Sequence, residues 1–205
     1  NISSYLRAIE RKERKIFVDP SDFVPTDELR LRATPRNFSY LRITEGCSNC
    51  CSYCTIPTIR GRMRSKPMDR IIQEARILAM DGAKELIVIG QDTASYGRDL
   101  KEKTDLYELI SRLSDVEGVR WIRIMYAHPS HIGKHFSKIL RLPRVVPYLE
   151  MPIQHADPAI LQAMKRTLDK EDALNYKETI DHLRAEVPGL RSEEHTSELQ
   201  SRQSI

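Results

Sequence analysis

From residue 38 onward the chain alternates strand-like runs with amphipathic helical runs, and few folds accept that rhythm. Tyr40-Leu41-Arg42-Ile43-Thr44 alternates apolar and polar residues like a strand. Pro67 to Met80 reads as a helix: Pro67 suits its first turn, Asp69 complements the helix dipole, and Ile71, Ile72, Ala75, Leu78 and Ala79 share one face. Gly82 suits the stop. Glu85 to Ile89 is a short apolar run, the mark of a buried strand. Thr104 is placed to cap a helix carrying Leu106, Leu109, Ile110 and Leu113. Trp121 to Tyr126 is a third strand, His131 to Leu142 a helix, and Tyr148 to Ile153 a fourth strand. Two further helices follow near Pro158 to Arg166 and Asp172 to Glu186. Strands separated by helices of this length imply right-handed βαβ units and a parallel sheet. The expected fold is α/β, a partial (βα) barrel broken off after about four units at Leu190, where another strand is due.

The flanks do not share the rhythm. Residues 1–37 read as an interdomain connector: a charged helical piece from Ser3 to Lys15, then Asp19-Pro20-Ser21-Asp22, Pro25 and Pro35. Residues 38–190 form the partial core domain. Within residues 191–205, the run Arg191-Ser192-Glu193-Glu194-His195-Thr196-Ser197-Glu198-Leu199-Gln200-Ser201 looks like a translated sequencing-library adapter, so this segment is expected to be a non-native tail. The chain has 205 residues, 40% hydrophobic and 30% charged, which suits one globular domain and excludes a disordered or fibrous class. No apolar run reaches the roughly 18 residues of a membrane span, and the start does not resemble a signal peptide. The net charge of +4 permits a nucleic-acid partner without requiring one.

All four cysteines lie between Cys47 and Cys54, too close for a disulfide scaffold. In a chain without export signals this clustering points to metal or redox chemistry in a reducing compartment, hence the cytoplasm. Cys47-x3-Cys51-x2-Cys54 directly follows the first strand. Three thiolates from one compact loop can grip three corners of a cubane iron–sulfur cluster. The fourth iron is then left open, as a catalytic metal site requires. A competing arrangement pairs Cys47 with Cys50 and Cys51 with Cys54 as two CxxC units for zinc, in a nucleic-acid interaction module. Zinc ribbons separate such pairs more widely, and adjacent Cys50 and Cys51 are poorly placed to aim at one ion. Buried free cysteines are the bland alternative, which the flanking Ser, Asn and Tyr do not suit.

The cysteine pattern after a barrel strand resembles the radical S-adenosylmethionine (SAM) superfamily. Thr44-Glu45-Gly46-Cys47, Ile56-Pro57 and Arg60-Gly61-x2-Arg64-Ser65 resemble its methylthiotransferase branch. Gln91-Asp92-Thr93-x2-Tyr96-Gly97, Met125-Tyr126-x-His128-Pro129 and Met151-Pro152-Ile153-Gln154-His155 are similar to the members that modify a ribosomal protein aspartate. The tRNA-modifying relatives more often carry Gln-Asn where this chain has Gln91-Asp92. The likeness covers about residues 34–190. It implies that Cys47, Cys51 and Cys54 hold a 4Fe–4S cluster, with SAM chelating the fourth iron and yielding a 5′-deoxyadenosyl radical. The implied reaction adds a methylthio group to the β-carbon of an aspartate in a small-subunit ribosomal protein. A tRNA adenosine is the alternative substrate. The implied partners are a ribosome-associated protein and an electron donor; no membrane is implied, and direct nucleic-acid contact stays open. The family also has an N-terminal domain with a second 4Fe–4S cluster, the rest of the barrel and a C-terminal domain, so the chain is expected to be a fragment. Cys50 departs from the pattern and receives no role.

Active sites of βα barrels form at the carboxyl ends of the strands. The cysteine loop, Gly90-Gln91-Asp92, Tyr126-Ala127-His128 and Gln154-His155 all fall there. By the resemblance, Gly90 would let the backbone approach SAM, and Gln91 or Asp92 would accept from its ammonium; helix capping by Asp92 is the alternative. Tyr53 is expected to shield the cluster and touch adenine, or simply to pack the loop. His128 and His155 are candidates for the substrate rim, or hydrogen-bonded rim histidines. His131 and His135 are expected to face solvent on a helix. Arg60, Arg62, Arg64, Lys66 and Arg70 form a basic run suited to an anionic partner or to solvent.

Overall fold

A computed structural model describes residues 2–14, 35–133, 135–166 and 176–193. Much of the expected connector, the start of the expected helix at Asp172, and residues 194–205 lie outside the described residues. Helix α1 spans Ile2–Glu10. Strand β1 (Phe38–Arg42) is followed by β2 (Thr44–Glu45), α2 (Ile56–Arg60) and β3 (Arg64–Ser65). Then come α3 (Met68–Met80), β4 (Glu85–Ile89), α4 (Leu106–Ser114) and β5 (Trp121–Ile124). The chain continues with α5 (Phe136–Leu140), β6 (Tyr148–Glu150), α6 (Pro158–Ala163), α7 (Tyr176–Glu186) and β7 (Arg191–Glu193).

Strands β1, β4 and β5 pair in parallel, in chain order, with Tyr40 beside Ile87 and Ile87 beside Arg123. β6 and β7 form a second parallel pair. The two pieces meet at one bridge, Ile122 with Val145, where the Ile122 amide donates to Arg144 O at 2.8 Å and the Val146 amide to Ile122 O at 2.9 Å. Consecutive parallel neighbours with intervening helices are the pattern of a barrel wall. β7 begins at Arg191, so the second strand pair takes in the first residues of the segment expected to be a non-native tail.

Alternation decides which side of the sheet is covered. Leu41, Leu86, Val88, Ile122 and Ile124 are buried with the inner faces of α3 and α4, including Ile71, Ala75, Leu109, Ile110 and Leu113. Burying such side chains contributes roughly 1.5–3 kcal/mol each. The opposite face carries Phe38, Tyr40, Ile87, Trp121 and Arg123. There Arg123 Nε pairs with Glu85 at 2.7 Å and its guanidinium lies over the Tyr148 ring. Among the described residues no helix is long and apolar enough to cross a membrane.

Several local expectations need correction. The α4 cap is Asp105, whose carboxylate accepts from the Glu108 amide at 2.9 Å, one residue after Thr104. The helix expected from His131 starts only at Phe136; a tight turn at Pro129–His131 precedes it, because Gly133 and Pro129 interrupt the run. That shift takes His131 out of solvent and into the protein, with its side chain 8% exposed.

Candidate functional site

Parallel pairing puts every strand's carboxyl end on one side, and the polar loops collect there. The β2–β3 hairpin pinches the base of the cysteine loop, pairing Thr44 with Ser65 and Glu45 with Arg64. Gly46 opens the loop at φ +76°, and a Cβ there would lie 2.4 Å from Arg62 O. Only glycine meets both demands. The Cys47 amide donates to Gly61 O and the Met63 amide to Ser48 Oγ, closing the loop on itself. Glu45 receives Arg60 at 2.8 Å and Arg42 at 2.7 Å. Burial alone would raise its pKa, but the two guanidiniums reverse that and hold it below the ordinary carboxylate value.

Cys47, Cys51 and Cys54 all line one open cavity of about 110 Å³. Asn49, Tyr53, Ile56, Gln91, Tyr126, His128, Pro152 and Arg166 complete its wall. Cys50 is exposed outside it, with its Sγ 3.9 Å from Ser48 O. Cys47 is buried, and burial first, then the neighbouring Asp92 and thiols, push its pKa up against the Asn49 amide that donates to it. Among the described residues, no three His, Cys, Asp or Glu side chains converge on a point that one metal ion could occupy. A tetrahedral zinc site needs that convergence, with sulfurs about 2.3 Å from one ion. A cubane does not, because each thiolate takes its own iron. Three spread thiols around a cavity, with Cys50 outside, therefore fit a 4Fe–4S group and not the two-CxxC zinc arrangement.

The expected rim residues separate on inspection. Gln91 lines the cavity, and its buried Oε1 has no hydrogen-bond partner. Asp92 does not line it. It is 2% exposed and accepts from Asn49 Nδ2 at 3.1 Å, Ser95 Oγ at 2.7 Å and the His128 amide at 3.2 Å. His131 Nδ1 lies 2.6 Å from the same carboxylate. Burial opposes ionisation of Asp92, but His131 first, then Ser95 and His128, bring its pKa down to about 2. Asp92 thus ties the cysteine loop to the ends of β4 and β5, and its oxygens are engaged by the protein. Gly90 likewise serves packing: a Cβ there would lie 2.1 Å from Thr44 Oγ1, and Gly90 is not in the cavity wall.

His128 lines the cavity at 8% exposure. Its Nδ1 accepts from the Ser130 amide at 3.3 Å, leaving the proton on Nε2, a buried atom with no partner. Burial first, then Arg166, bring its pKa down to about 4, so the ring is neutral at pH 7. His155 sits outside the wall, half-buried, with Nδ1 accepting from the Asp157 amide at 2.9 Å. Tyr53 is in the wall, its hydroxyl accepting from Arg166 Nη1 at 3.0 Å. His135 is exposed at the start of α5. The basic run is divided: Lys66 is buried against Glu74 at 2.6 Å, while Arg62 is exposed.

Sequence reasoning missed His131 and Arg166, and placed Tyr126 at the rim without a role of its own. Tyr126 and Gln154 sit at φ +59° and +70° just past β5 and β6, a left-handed backbone that costs of order 1–3 kcal/mol and tends to collect at functional sites. Nothing in the residue type announces that geometry. Arg166 follows α6 by a short turn and is distant in sequence from the cysteines it meets.

A family model described as the Radical SAM superfamily matches residues 41–191. The chain is 40% identical over 190 residues to "Ribosomal protein uS12 methylthiotransferase RimO" of Clostridioides difficile, covering 92% of this chain and 42% of that one. It is 43% identical over 173 residues to the protein of the same name from Caldicellulosiruptor saccharolyticus, covering 83% and 39%. It therefore spans about two fifths of the length of these curated relatives. Among solved structures, the radical S-adenosylmethionine methyltransferase TsrM of Kitasatospora setae, with cobalamin and a 4Fe–4S cluster bound, superposes with a TM-score of 0.59 at 17% identity. That match covers 77% of this chain and 30% of that one, and it speaks for the fold alone. The matched segment contains the whole cysteine loop and every strand of the parallel sheet but the first residues of β1 and the end of β7, so the chain belongs to the radical SAM superfamily.

Proposed function

We propose that the chain is the cluster-bearing core of a methylthiotransferase whose substrate is an aspartate β-carbon of ribosomal protein uS12. The observation that carries this reading is the cavity lined by Cys47, Cys51 and Cys54 but not by Cys50. The names of the relatives support a methylthiotransferase acting on uS12, and the motif resemblance supports the aspartate β-carbon. An enzyme acting on a ribosomal protein would work in the cytoplasm, which is the location this reading carries.

Cys47, Cys51 and Cys54 would hold a 4Fe–4S cluster as thiolates, each on a separate iron. When bound, that group supplies one-electron cleavage of SAM, the source of hydrogen-atom abstraction. The chain's own residues bind and orient. Gln91 Oε1 accepts from the ammonium of SAM, and the neutral His128 ring donates from Nε2 to an oxygen in the cavity. A buried acceptor and a buried donor without partners each cost about 1–3 kcal/mol, which binding recovers. Tyr53 flanks adenine. Ile56 and Pro152 keep water from the reacting atoms. The sulfur source belongs to the part of the enzyme beyond this segment.

Anaerobic reconstitution of the chain, followed by electron paramagnetic resonance (EPR) of the reduced protein with and without SAM, tests the site. A 4Fe–4S signal that shifts on adding SAM is expected; C50S keeps it and C51S loses it. Loss in C50S would restore the zinc-type pairing. For the substrate, the segment replaces its counterpart in the C. difficile relative within cells lacking their own enzyme. Mass spectrometry of uS12 and of hydrolysed tRNA then decides: the methylthio group is expected on uS12. Its appearance on tRNA adenosine would overturn the assignment.

A further inference from the structure

Arg166 is a buried cation at the site and has no counter-ion among the described residues. It is 4% exposed. Its Nη1 reaches Cys51 Sγ at 3.6 Å and Tyr53 Oη at 3.0 Å, and its Nη2 donates to Pro152 O. Its Nε is buried without a hydrogen-bond partner. Among the described residues no carboxylate lies within ion-pair distance of it, although Lys66, Arg42, Arg60 and Arg123 all have one. A buried guanidinium is costly unless negative charge faces it. Among the described residues, the group it meets that a bound cluster would make anionic is the Cys51 sulfur, in the loop of three thiols.

The position is held from several sides. The Ser52 amide donates to Met164 O at 3.0 Å and Ser52 Oγ to Ala163 O at 3.1 Å, so the end of α6 is fastened to the cysteine loop. Ser130 Oγ donates to Arg166 O at 2.5 Å, which anchors the residue to the β5 rim as well. The side chain is thus fixed against the sulfur of Cys51 by neighbours in three loops.

We propose that Arg166 is a positioning residue that sets the reduction potential of the cluster held by Cys47, Cys51 and Cys54. A guanidinium N–H aimed at a ligating sulfur, together with its full positive charge, stabilises the more negative, reduced state. The potential of such a cluster follows net charge, hydrogen bonds to sulfur and solvent exposure. Arg166 acts on all three, since it also closes the Tyr53 and Pro152 side of the cavity. The balance is simple: one electron enters the cluster from an external reductant, no bond forms or breaks, and Arg166 keeps its proton throughout. This inference rests on the three-thiol cluster proposed above.

The test is an EPR-monitored redox titration of the reconstituted full chain and of R166K and R166M. At the potential where the wild-type cluster is half reduced, R166M is expected to show at least a tenfold lower ratio of reduced to oxidised cluster. For a one-electron couple that is a fall of about 59 mV. R166K, which keeps the charge, is expected to stay within threefold of wild type. Cluster loss in R166M with retention in R166K also supports the proposal, because charge then separates two side chains of similar reach. Equal ratios in wild type and R166M, or cluster loss in both variants, overturn it and leave Arg166 a packing element. Failure of the wild type itself to form a cluster would instead overturn the three-thiol assignment.

Discussion

Acid should unfold this protein in a way that one side chain controls. His128 is buried and neutral, and its pKa falls from 6.5 to about 4 in the fold, through burial first and Arg166 second. Asp92 pulls it the other way, and His131, with its ring centroid 5.2 Å away, adds to the fall. The unfolded chain takes up a proton near the ordinary histidine value, whereas the folded chain resists until far lower pH. The unfolded state therefore binds more protons between these values, and stability drops as pH falls through that window. At one pKa unit to about 1.36 kcal/mol, the full depression is worth about 3 kcal/mol. Between pH 7 and pH 5 the portion lost is about 2 kcal/mol. The perturbation is His128→Asn, which keeps an acceptor for the Ser130 amide and cannot titrate. Urea unfolding of the metal-free chain, followed by the fluorescence of its single tryptophan, Trp121, gives the stability at each pH. Wild type minus variant should fall by about 2 kcal/mol from pH 7 to pH 5. Subtraction removes the other histidines, which both proteins share. Parallel pH profiles for the two proteins would refute the reasoning, because they would mean that His128 is as free to protonate in the fold as in the coil.

Other predictions concern the supports of the same loop. Asp92, at about 2 instead of 3.8, contributes about 2 kcal/mol at neutral pH that is lost as pH falls from about 4 to 2; D92N should be destabilised by that order at pH 7 and converge on wild type near pH 2, as read from urea midpoints. Gly46→Ala adds a Cβ 2.4 Å from Arg62 O at φ +76°, so it should cost roughly 1–3 kcal/mol and lower Tm by several degrees in a thermal melt. Gly133→Ala, with no atom within 4 Å of the new methyl, is its control and should leave Tm nearly unchanged.

The strand–helix rhythm was legible because each element faces a uniform environment. β4 was placed to the residue, since four consecutive apolar residues, Leu86 to Ile89, between turn signals have one sensible reading. α3 was placed to within a residue for the same kind of reason: its apolar spacing and Pro67 agree. The cysteine loop was legible from spacing alone. What sequence did not reveal depends on meetings across the chain. Asp92 looked like a cofactor ligand because it follows a strand, but Asn49, Ser95 and His131 converge on it from three separate segments. His131 looked solvent-facing because a helix was extended through Gly133. Arg166 sits 115 residues from Cys51, and no periodicity links the two. Local pattern reports burial well and reports partnership poorly.

The seam between the two sheet pieces has a consequence for how the protein breathes. β4 is paired on both edges, by β1 and by β5, while β6 and β7 have no strand ladder to the rest among the described residues, only the bridge at Ile122 and Val145 and the Ala127 amide donating to Glu150 O at 3.2 Å. Local opening follows the least-supported boundary. Amides of β4 should therefore exchange with solvent deuterium only on global unfolding, while those of β6 and β7 exchange as a separate, less protected unit. The cavity straddles that boundary, with the cysteines, Gln91 and the Arg166 fastened to their loop on the steady side and Pro152 on the side that yields. An arrangement of this kind lets a ligand enter between two halves of a wall without disturbing the half that holds the sulfurs.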